Sequence, residues 1–172
     1  MVTLYNIQEC LINMVNWLGF ILLNSLIYIM ELLGRKRIIL DRESNEPYLE
    51  RYYLFLKERS NFPFNIFIHK FLKSDPDDLH DHPWGFTTFI LAGGYWEYTS
   101  HDTKKWHSPL SYRTVSDPKF LHRIELDKNV PYCWTLFIPH KKEREWGFIK
   151  DGKWVHNEEY YKIKRKEKEN IE

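Results

Sequence analysis

The chain has 172 residues, of which 43% are hydrophobic and 28% are charged, and its formal net charge is +1. This length allows one compact domain with an appendage at each end and excludes two full-sized cores. The composition excludes a disordered chain, and the near-neutral charge gives no basic field for a nucleic-acid partner. Cys10 and Cys133 match neither a zinc-ribbon nor a disulfide-scaffold spacing, so we expect a reducing, cytoplasmic environment.

Residues 1–36 form a hydrophobic N-terminal segment that predicts a helix ending at Gly34, directly before three basic residues. Two interpretations are open for its apolar run of residues 1–33. Its length and the cations behind it suit a membrane anchor or interfacial helix that keeps the rest of the chain on the cytosolic side. Its asparagines favour instead a helix packed on the protein or on another subunit, such as the second copy of a homodimer. A cleaved signal peptide is disfavoured, because no basic segment precedes the run.

Residues 37–156 predict an all-β domain, because short aromatic and β-branched runs alternate with turn signals and no long helix intervenes. Residues 52–57 and 65–72 predict a hairpin around the turn-rich segment 58–63. Further predicted strands cover residues 86–91, 95–100, 112–115, 120–126, 132–138 and 146–150. Residues 157–172 alternate charges of both signs and predict a charged C-terminal tail or short helix.

The most informative stretch is the H-x-H pattern of His80 and His82. Residues two apart in a strand point to the same face, so these two imidazoles can face a single point. A third imidazole is available from His122, which shares a strand face with Phe120 and Ile124. An imidazole among apolar neighbours needs a hydrogen-bond partner or a metal, because an unsatisfied polar group is costly to bury. We therefore predict a divalent metal bound by His80, His82 and His122.

The spacing around these histidines resembles the first motif of the cupin superfamily, which is H-x-H, four residues, an acidic position, six residues and Gly. Here it runs His80-x-His82-x4-Thr87-x6-Gly94, with Thr87 in the acidic position, and His122 lies where the second motif has its histidine. The resemblance implies an all-β cupin fold, a double-stranded β-helix or jelly-roll barrel of the RmlC-like type, with the N-terminal hydrophobic α-helix outside it.

Within the cupins, residues 121–125 are similar to the corresponding segment of thiol dioxygenases of the cysteine dioxygenase type. Those enzymes also lack the acidic ligand and bind ferrous iron on three histidines. Thr135 falls where that family has the serine of a serine–histidine–tyrosine relay, whereas Phe137 and Pro139 replace the other two relay residues. The resemblance therefore implies the metal and the fold more specifically than it implies cysteine as the substrate.

Fe(II) is the preferred metal on this interpretation, although imidazole ligands also suit Zn, Ni or Cu, and Mn stays open. The motif excludes the H-x-D ligand pair of 2-oxoglutarate oxygenases, because Asp81 follows His80 directly and faces the other way. We interpret Asp81 as a charge at a strand edge; the alternative is a partner that supports the metal ligands from behind.

Three further residues are candidates for catalytic contacts inside the barrel: Thr87, Thr135 and His69. Thr87 shares a strand face with Phe89, which predicts an inward orientation near the metal, and His69 lies between two phenylalanines on one face of its strand. Weaker candidates for the same cavity are Tyr95, Glu97 and Arg123. The histidines without a metal-ligand spacing are expected at the surface; they are His101, His107, His140 and His156.

Three functions are compatible with these features. The first is a mononuclear non-haem Fe(II) enzyme of the dioxygenase kind, an oxidoreductase that acts on a small organic substrate inside the barrel. The second is a metal-independent isomerase or epimerase of sugar nucleotides, since jelly rolls also support that chemistry with a histidine base. The third is a non-catalytic ligand-binding or scaffold protein that holds a structural metal.

Overall fold

The computed structural model describes residues 2–57 and 62–169, and for residues 2–13, 15 and 16 it describes the backbone alone. Part of the predicted hairpin turn, at residues 58–61, and the last three residues of the predicted tail lie outside the described residues. The chain divides into two compact units, Met1–Lys36 and Arg37–Glu172.

The N-terminal unit is built on helix α1, Val2–Leu32. The helix ends as the sequence predicts: Gly34 takes a φ of 61°, its amide donates to the Glu31 carbonyl, and the Arg35 amide donates to the Met30 carbonyl. This pair of bonds is the Schellman motif, in which glycine accepts a left-handed conformation without steric cost. Large apolar side chains along the helix are exposed, Trp17, Phe20 and Leu22 among them. Within the part of the chain that the structure describes, no helix combines the length and the apolarity that a bilayer crossing requires.

The described residues from Lys36 onward, which make up the second unit and its boundary residue, form eleven strands and one helix. The strands are β1 (Lys36–Leu40), β2 (Pro47–Tyr53), β3 (Phe67–Phe71), β4 (Phe86–Gly93), β5 (Tyr95–Tyr98), β6 (Lys104–His107), β7 (Tyr112–Val115), β8 (Arg123–Glu125), β9 (Cys133–Pro139), β10 (Gly147–Lys150) and β11 (Lys153–His156). The helix is α2, Asn157–Glu169, so the described part of the C-terminal segment is a helix, one of the two forms predicted for it. Its first turn carries Glu158 and Glu159 and its last turn Lys166 and Lys168, which complements the helix dipole.

Six strands form the larger sheet, in the order β1-β2-β3-β9-β4-β7. The antiparallel pairing of the predicted hairpin is confirmed by β2 and β3. The predicted first strand, residues 52–57, is displaced, because β2 covers Pro47–Tyr53 and shares only Tyr52 and Tyr53 with it. Strand β9 lies between β3 and β4, which follow one another in the chain, whereas β9 is distant in sequence from both. This crossover places the inner faces of four strands side by side, and they form one wall of the cavity described below.

The opposite wall is formed by two smaller sheets, β6-β5-β8 and β10-β11. The segment that carries the H-x-H motif lies between them, because His80 forms one β-bridge with His122 and another with Phe148. The amides of His80 and His122 each donate to the other residue's carbonyl, both at 2.9 Å. Two of the three predicted metal ligands are therefore neighbours in one ladder.

Strands β1, β6 and β11 were not predicted from the sequence. All three lie at the edge of a sheet, and their residues are rich in Lys, Arg and His. Charged side chains are common on edge strands, where one side of the ladder stays in water and further pairing must be prevented. The hydrophobic alternation that identifies inner strands is therefore absent from these three.

Candidate metal centre

The three predicted ligands converge. One ring nitrogen of each of His80, His82 and His122 lies within 4.8 Å of the corresponding nitrogens of the other two. His80 and His122 are buried, and His82 is half-buried. The alternation predicted around His122 is confirmed for His122 and Ile124, which are buried while Arg123 between them is not; Phe120, predicted on the same face, is only half-buried and does not line the cavity. The structure thus brings together imidazoles from two segments that are forty residues apart.

The protonation of these rings suits a metal site. Burial lowers the pKa of His80 and that of His122 to about 4, and burial together with the two neighbouring imidazoles holds the pKa of His82 well below its usual range. Metal ligation requires the neutral imidazole. All three rings are therefore in the ligating form at neutral pH.

Two observations test whether the cluster fits a metal. Nδ1 of His80 is buried and has no hydrogen-bond partner among the described residues. Nε2 of His82 lies 2.7 Å from Nε2 of His122, and the Nδ1 atom of His122 is already engaged with Glu97 at 2.5 Å. A buried polar atom without a partner and two ring nitrogens turned toward one another are the features that a shared cation would satisfy. The cluster fits a divalent metal.

Acid is expected to destabilise the metal-free protein, because these imidazoles stay neutral when folded but take up protons when unfolded. For His80 the pH range in which the two states differ in protonation lies between its ordinary pKa of 6.5 and its folded pKa of about 4. Within it the unfolded chain binds more protons, so the free energy of unfolding falls as pH falls, by up to about 1.4 kcal/mol per pH unit for each imidazole. Urea unfolding at a series of pH values checks this. In the variant H80Q the free energy of unfolding should depend less steeply on pH than in the parent chain, and in H101Q it should depend on pH as in the parent chain. A free energy of unfolding that does not change with pH in the parent chain would contradict the expectation.

The triad borders a cavity of about 370 Å³ between the two walls. Its lining is mainly aromatic and includes Phe71, Trp84, Phe86, Tyr95, Trp146, Phe148 and Tyr161. Polar side chains line it as well, among them the three histidines of the cluster and Arg51, His69, Asp75 and Thr135. A pocket of this volume with largely apolar walls and polar groups at defined positions is typical of a small-molecule site.

Three polar side chains stand in a row on the far wall. Arg51 pairs with His69 across β2 and β3, and His69 pairs with Thr135 across β3 and β9, so all three share the inner face of the larger sheet. The predicted candidates His69 and Thr135 are both buried and both line the cavity. Nε of Arg51 donates to Nε2 of His69 at 2.9 Å, while Thr135 Oγ1 has no hydrogen-bond partner among the described residues.

Thr87 does not face the cavity, and this expectation is wrong. On β4 the buried residues are Phe86, Thr88 and Ile90, whereas Phe89 is 40% exposed and stacks on Tyr112 with ring centroids 5.3 Å apart. Thr87 shares that outer face, where its hydroxyl lies 3.0 Å from the hydroxyl of Thr114. If the inward-facing positions of a strand are assigned one residue too early or too late, every side chain is placed on the wrong face. The alternation of residues in this segment was compatible with either assignment.

The expectations for Asp81 and His107 are also wrong, because both are buried. Asp81 is 2% exposed and accepts hydrogen bonds from the Gly147 amide at 2.7 Å and from Trp154 Nε1 at 2.9 Å, besides its contact with the Arg144 guanidinium. It anchors the H-x-H segment to β10 and β11 from behind. His107 lies 3.1 Å from Glu97, within a buried polar cluster next to His122.

The sequence analysis did not single out Arg51 or Arg113. Both lie at strand positions whose side chains face the interior. In β2, Arg51 shares a face with Leu49 and Tyr53, which lie two residues before and after it. In β7, Arg113 shares a face with the buried Val115. A charged residue at an inward-facing strand position is the signal that could have identified them.

Comparison with known proteins is informative only at the level of structure, since no protein-family model and no curated protein matches the chain. A cupin-2 domain from Rhodospirillum rubrum is similar with a TM-score of 0.51 and 12% identity over 67% of this chain and 76% of that chain. A cupin-like protein from Thermotoga maritima aligns with a TM-score of 0.45 and 15% identity over 66% of this chain and 83% of that one.

An iron(II) form of HppE has a TM-score of 0.48 and 13% identity, with 62% of this chain and 57% of that chain covered. The chain thus spans little more than half the length of HppE. At these identities the likeness concerns the fold alone, and the narrower resemblance to thiol dioxygenases is not shown. The antiparallel strand topology and the likeness to the cupin-2 domain together identify the fold as that of the cupins.

Proposed function

We propose that this protein is a mononuclear metal enzyme that binds one divalent ion, Fe(II) in the first place, and acts on a small organic substrate as a dioxygenase. The observation that carries the proposal is the convergence of three neutral, mostly buried imidazoles at the wall of a cavity of about 370 Å³. His80, His82 and His122 would hold the ion. A structural metal site has no need of an adjoining cavity, whereas a catalytic one keeps ligand positions open toward its substrate.

The ligand set favours chemistry that needs open coordination positions. Three imidazoles bring no charge to the ion, and they leave room for substrate and dioxygen beside it. When bound, ferrous iron would supply the redox chemistry that joins dioxygen to an organic molecule. A dioxygenase places both oxygen atoms in its product, so it needs no separate electron donor.

The row of Arg51, His69 and Thr135 supports a small organic acid as the substrate. Among the described residues no carboxylate forms an ion pair with Arg51, whose guanidinium lies over the Phe67 ring at 4.6 Å. Because His69 Nε2 accepts from Arg51, the proton of the neutral ring resides on Nδ1, and burial lowers the pKa of His69 well below its usual range. Guanidinium, imidazole N–H and hydroxyl then present three donors on one wall, which suits an anionic group.

The aromatic lining would exclude bulk water from the reacting groups. Phe86 stacks against His122 with ring centroids 5.8 Å apart and lies 5.2 Å from His82, while Phe148 lies 5.5 Å from His80. Displacing water in this way strengthens the interaction of the site's charges with an anionic substrate.

The test is to purify the full chain without oxygen, measure its metal content, and follow oxygen uptake with small organic acids, thiol acids included. We expect about one iron per chain and oxygen consumption with at least one acid in the absence of a reductant. Zinc in the site without oxygen uptake would contradict the oxygenase while retaining the metal centre. Activity that survives complete metal removal would instead favour the metal-independent isomerase, and a metal-free, inert protein would refute the proposal.

The substrate class is tested by R51M. Charge-assisted hydrogen bonds contribute about 1.5–3 kcal/mol, so the loss of the guanidinium should weaken binding of the acid by about tenfold or more. The apparent KM for the acid should rise while the metal content stays at the parent value. The exposed Arg165 of α2 offers a matched control, since R165M removes the same charge away from the cavity. An unchanged KM in R51M would argue against an anionic substrate.

A further inference from the structure

Glu97 is a buried carboxylate directly behind the metal centre. It lies on β5, where it pairs with Ile124 of β8, two residues beyond His122. Only 4% of its surface is exposed. One carboxylate oxygen lies 2.5 Å from Nδ1 of His122, and the other contacts the Arg113 guanidinium and lies 3.1 Å from Nε2 of His107. Both oxygens are therefore used, and neither points into the substrate cavity.

This contact decides which nitrogen of His122 can bind a metal. A neutral imidazole carries one donor and one acceptor nitrogen, and an ionised carboxylate can only accept. The proton of His122 must then reside on Nδ1, which leaves the lone pair on Nε2. That is the atom 2.7 Å from Nε2 of His82. Glu97 thus turns the acceptor side of the ring toward the other two histidines.

Arg113 keeps the carboxylate charged and in place. Its guanidinium is mostly buried, lies 5.5 Å from the Phe86 ring and 5.0 Å from the Phe120 ring, and contacts Glu97. A carboxylate without a cation would take up a proton in such apolar surroundings, whereas pairing with a guanidinium favours the ionised form. Among the described residues no hydrogen bond joins Arg113 to the three imidazoles; it supports them through Glu97, and in addition to burial its positive charge also lowers the pKa of His82 and that of His122.

We propose that Glu97 is the positioning residue of the metal centre: it fixes the tautomer of His122 and places a negative charge one hydrogen bond away from a ligand set that carries none. The inference rests on the proposed metal binding. An imidazole that donates to a carboxylate is a stronger ligand than one that donates to water. The centre therefore combines three neutral ligands, which leave positions open, with the charge compensation that a carboxylate ligand would otherwise provide.

The experiment compares Zn(II) affinity, measured by competition with a chromophoric chelator, for the parent chain, E97Q and E125Q. Glutamine preserves the shape of the side chain but removes the charge. We expect E97Q to bind Zn(II) about 10–100-fold more weakly, the range found when an outer partner of a metal ligand is lost. Glu125 is the matched control, because it is a partly exposed carboxylate on the neighbouring strand that pairs with Arg123. E125Q should keep the parent affinity.

A second readout separates positioning from a purely structural role. The visible absorption bands of the Co(II)-loaded chain report the donor strength of the imidazoles, and they should shift in E97Q and not in E125Q. If E97Q does not fold, because Arg113 is left buried without its partner, the double variant E97Q/R113M removes both charges and should show the same loss of affinity and the same shift. Parent affinity and parent bands in the folded variant would overturn the inference. Failure of the parent chain to bind Zn(II) or Co(II) would instead count against the proposed function.

Discussion

Replacing His82 by alanine is expected to abolish stoichiometric metal binding while leaving the barrel folded. His82 is the only one of the three predicted ligands that is half-buried rather than buried, and it makes no contact with Glu97, so its removal disturbs the fold least. Loss of a direct ligand should weaken binding by more than the roughly 10–100-fold that follows from loss of an outer partner. Metal content after dialysis, with binding constants for Zn(II), measures the effect.

The control for this prediction is H101A, because His101 is exposed and lies outside the cluster. That variant should retain the metal content and the affinity of the parent chain. If H82A held the metal as tightly as H101A, the three imidazoles would not be the ligand set, and the proposed enzyme would lose its basis.

Replacing Asp81 by alanine should destabilise the protein by about 3 kcal/mol, because it leaves buried donors without an acceptor and the Arg144 guanidinium without its counter-ion. The affected donors are the Gly147 amide and Trp154 Nε1. Since Asp81 lies between two ligands, we also expect weaker metal binding in D81A. Urea unfolding of the metal-free chain gives the first quantity and chelator competition the second.

Asp77 provides the comparison, since it is an aspartate four residues before Asp81 and its side chain is 98% exposed. D77A should unfold at the same urea concentration as the parent chain. Equal stability of D81A and D77A would show that the buried hydrogen bonds of Asp81 contribute little, and the H-x-H segment would then need another anchor.

Local pattern in the sequence was sufficient to predict the cluster of three imidazoles. Alternation along a strand depends only on backbone geometry, so His80 with His82, and His122 with Ile124, could be assigned to common faces without knowledge of the fold. The helix stop at Gly34 is equally local, because it depends on the conformational freedom of one residue. The all-β class followed from the same kind of periodicity.

The orientation of β4 and the polar groups around the site depended on the tertiary structure. Thr87 and Thr88 have the same side chain, and only the packing of Phe86 and Ile90 inside the barrel decides which of the two faces the cavity. Strand order then determines which residues lie next to each inward-facing side chain. Because β9 lies between β3 and β4, Thr135 is beside His69. Because β5, β7 and β8 lie close together, Glu97, Arg113 and His122 form one cluster.

By itself, then, the sequence of this protein determined the three imidazoles and the kind of fold that could hold them, since both are set by short-range periodicity. Only the tertiary structure decided that Asp81 is an anchor, that Glu97 supports His122, and that Arg51 faces the cavity. The physical reason is that a buried charge is tolerable only next to its partner, and those partners are joined by strand pairings between segments far apart in the chain.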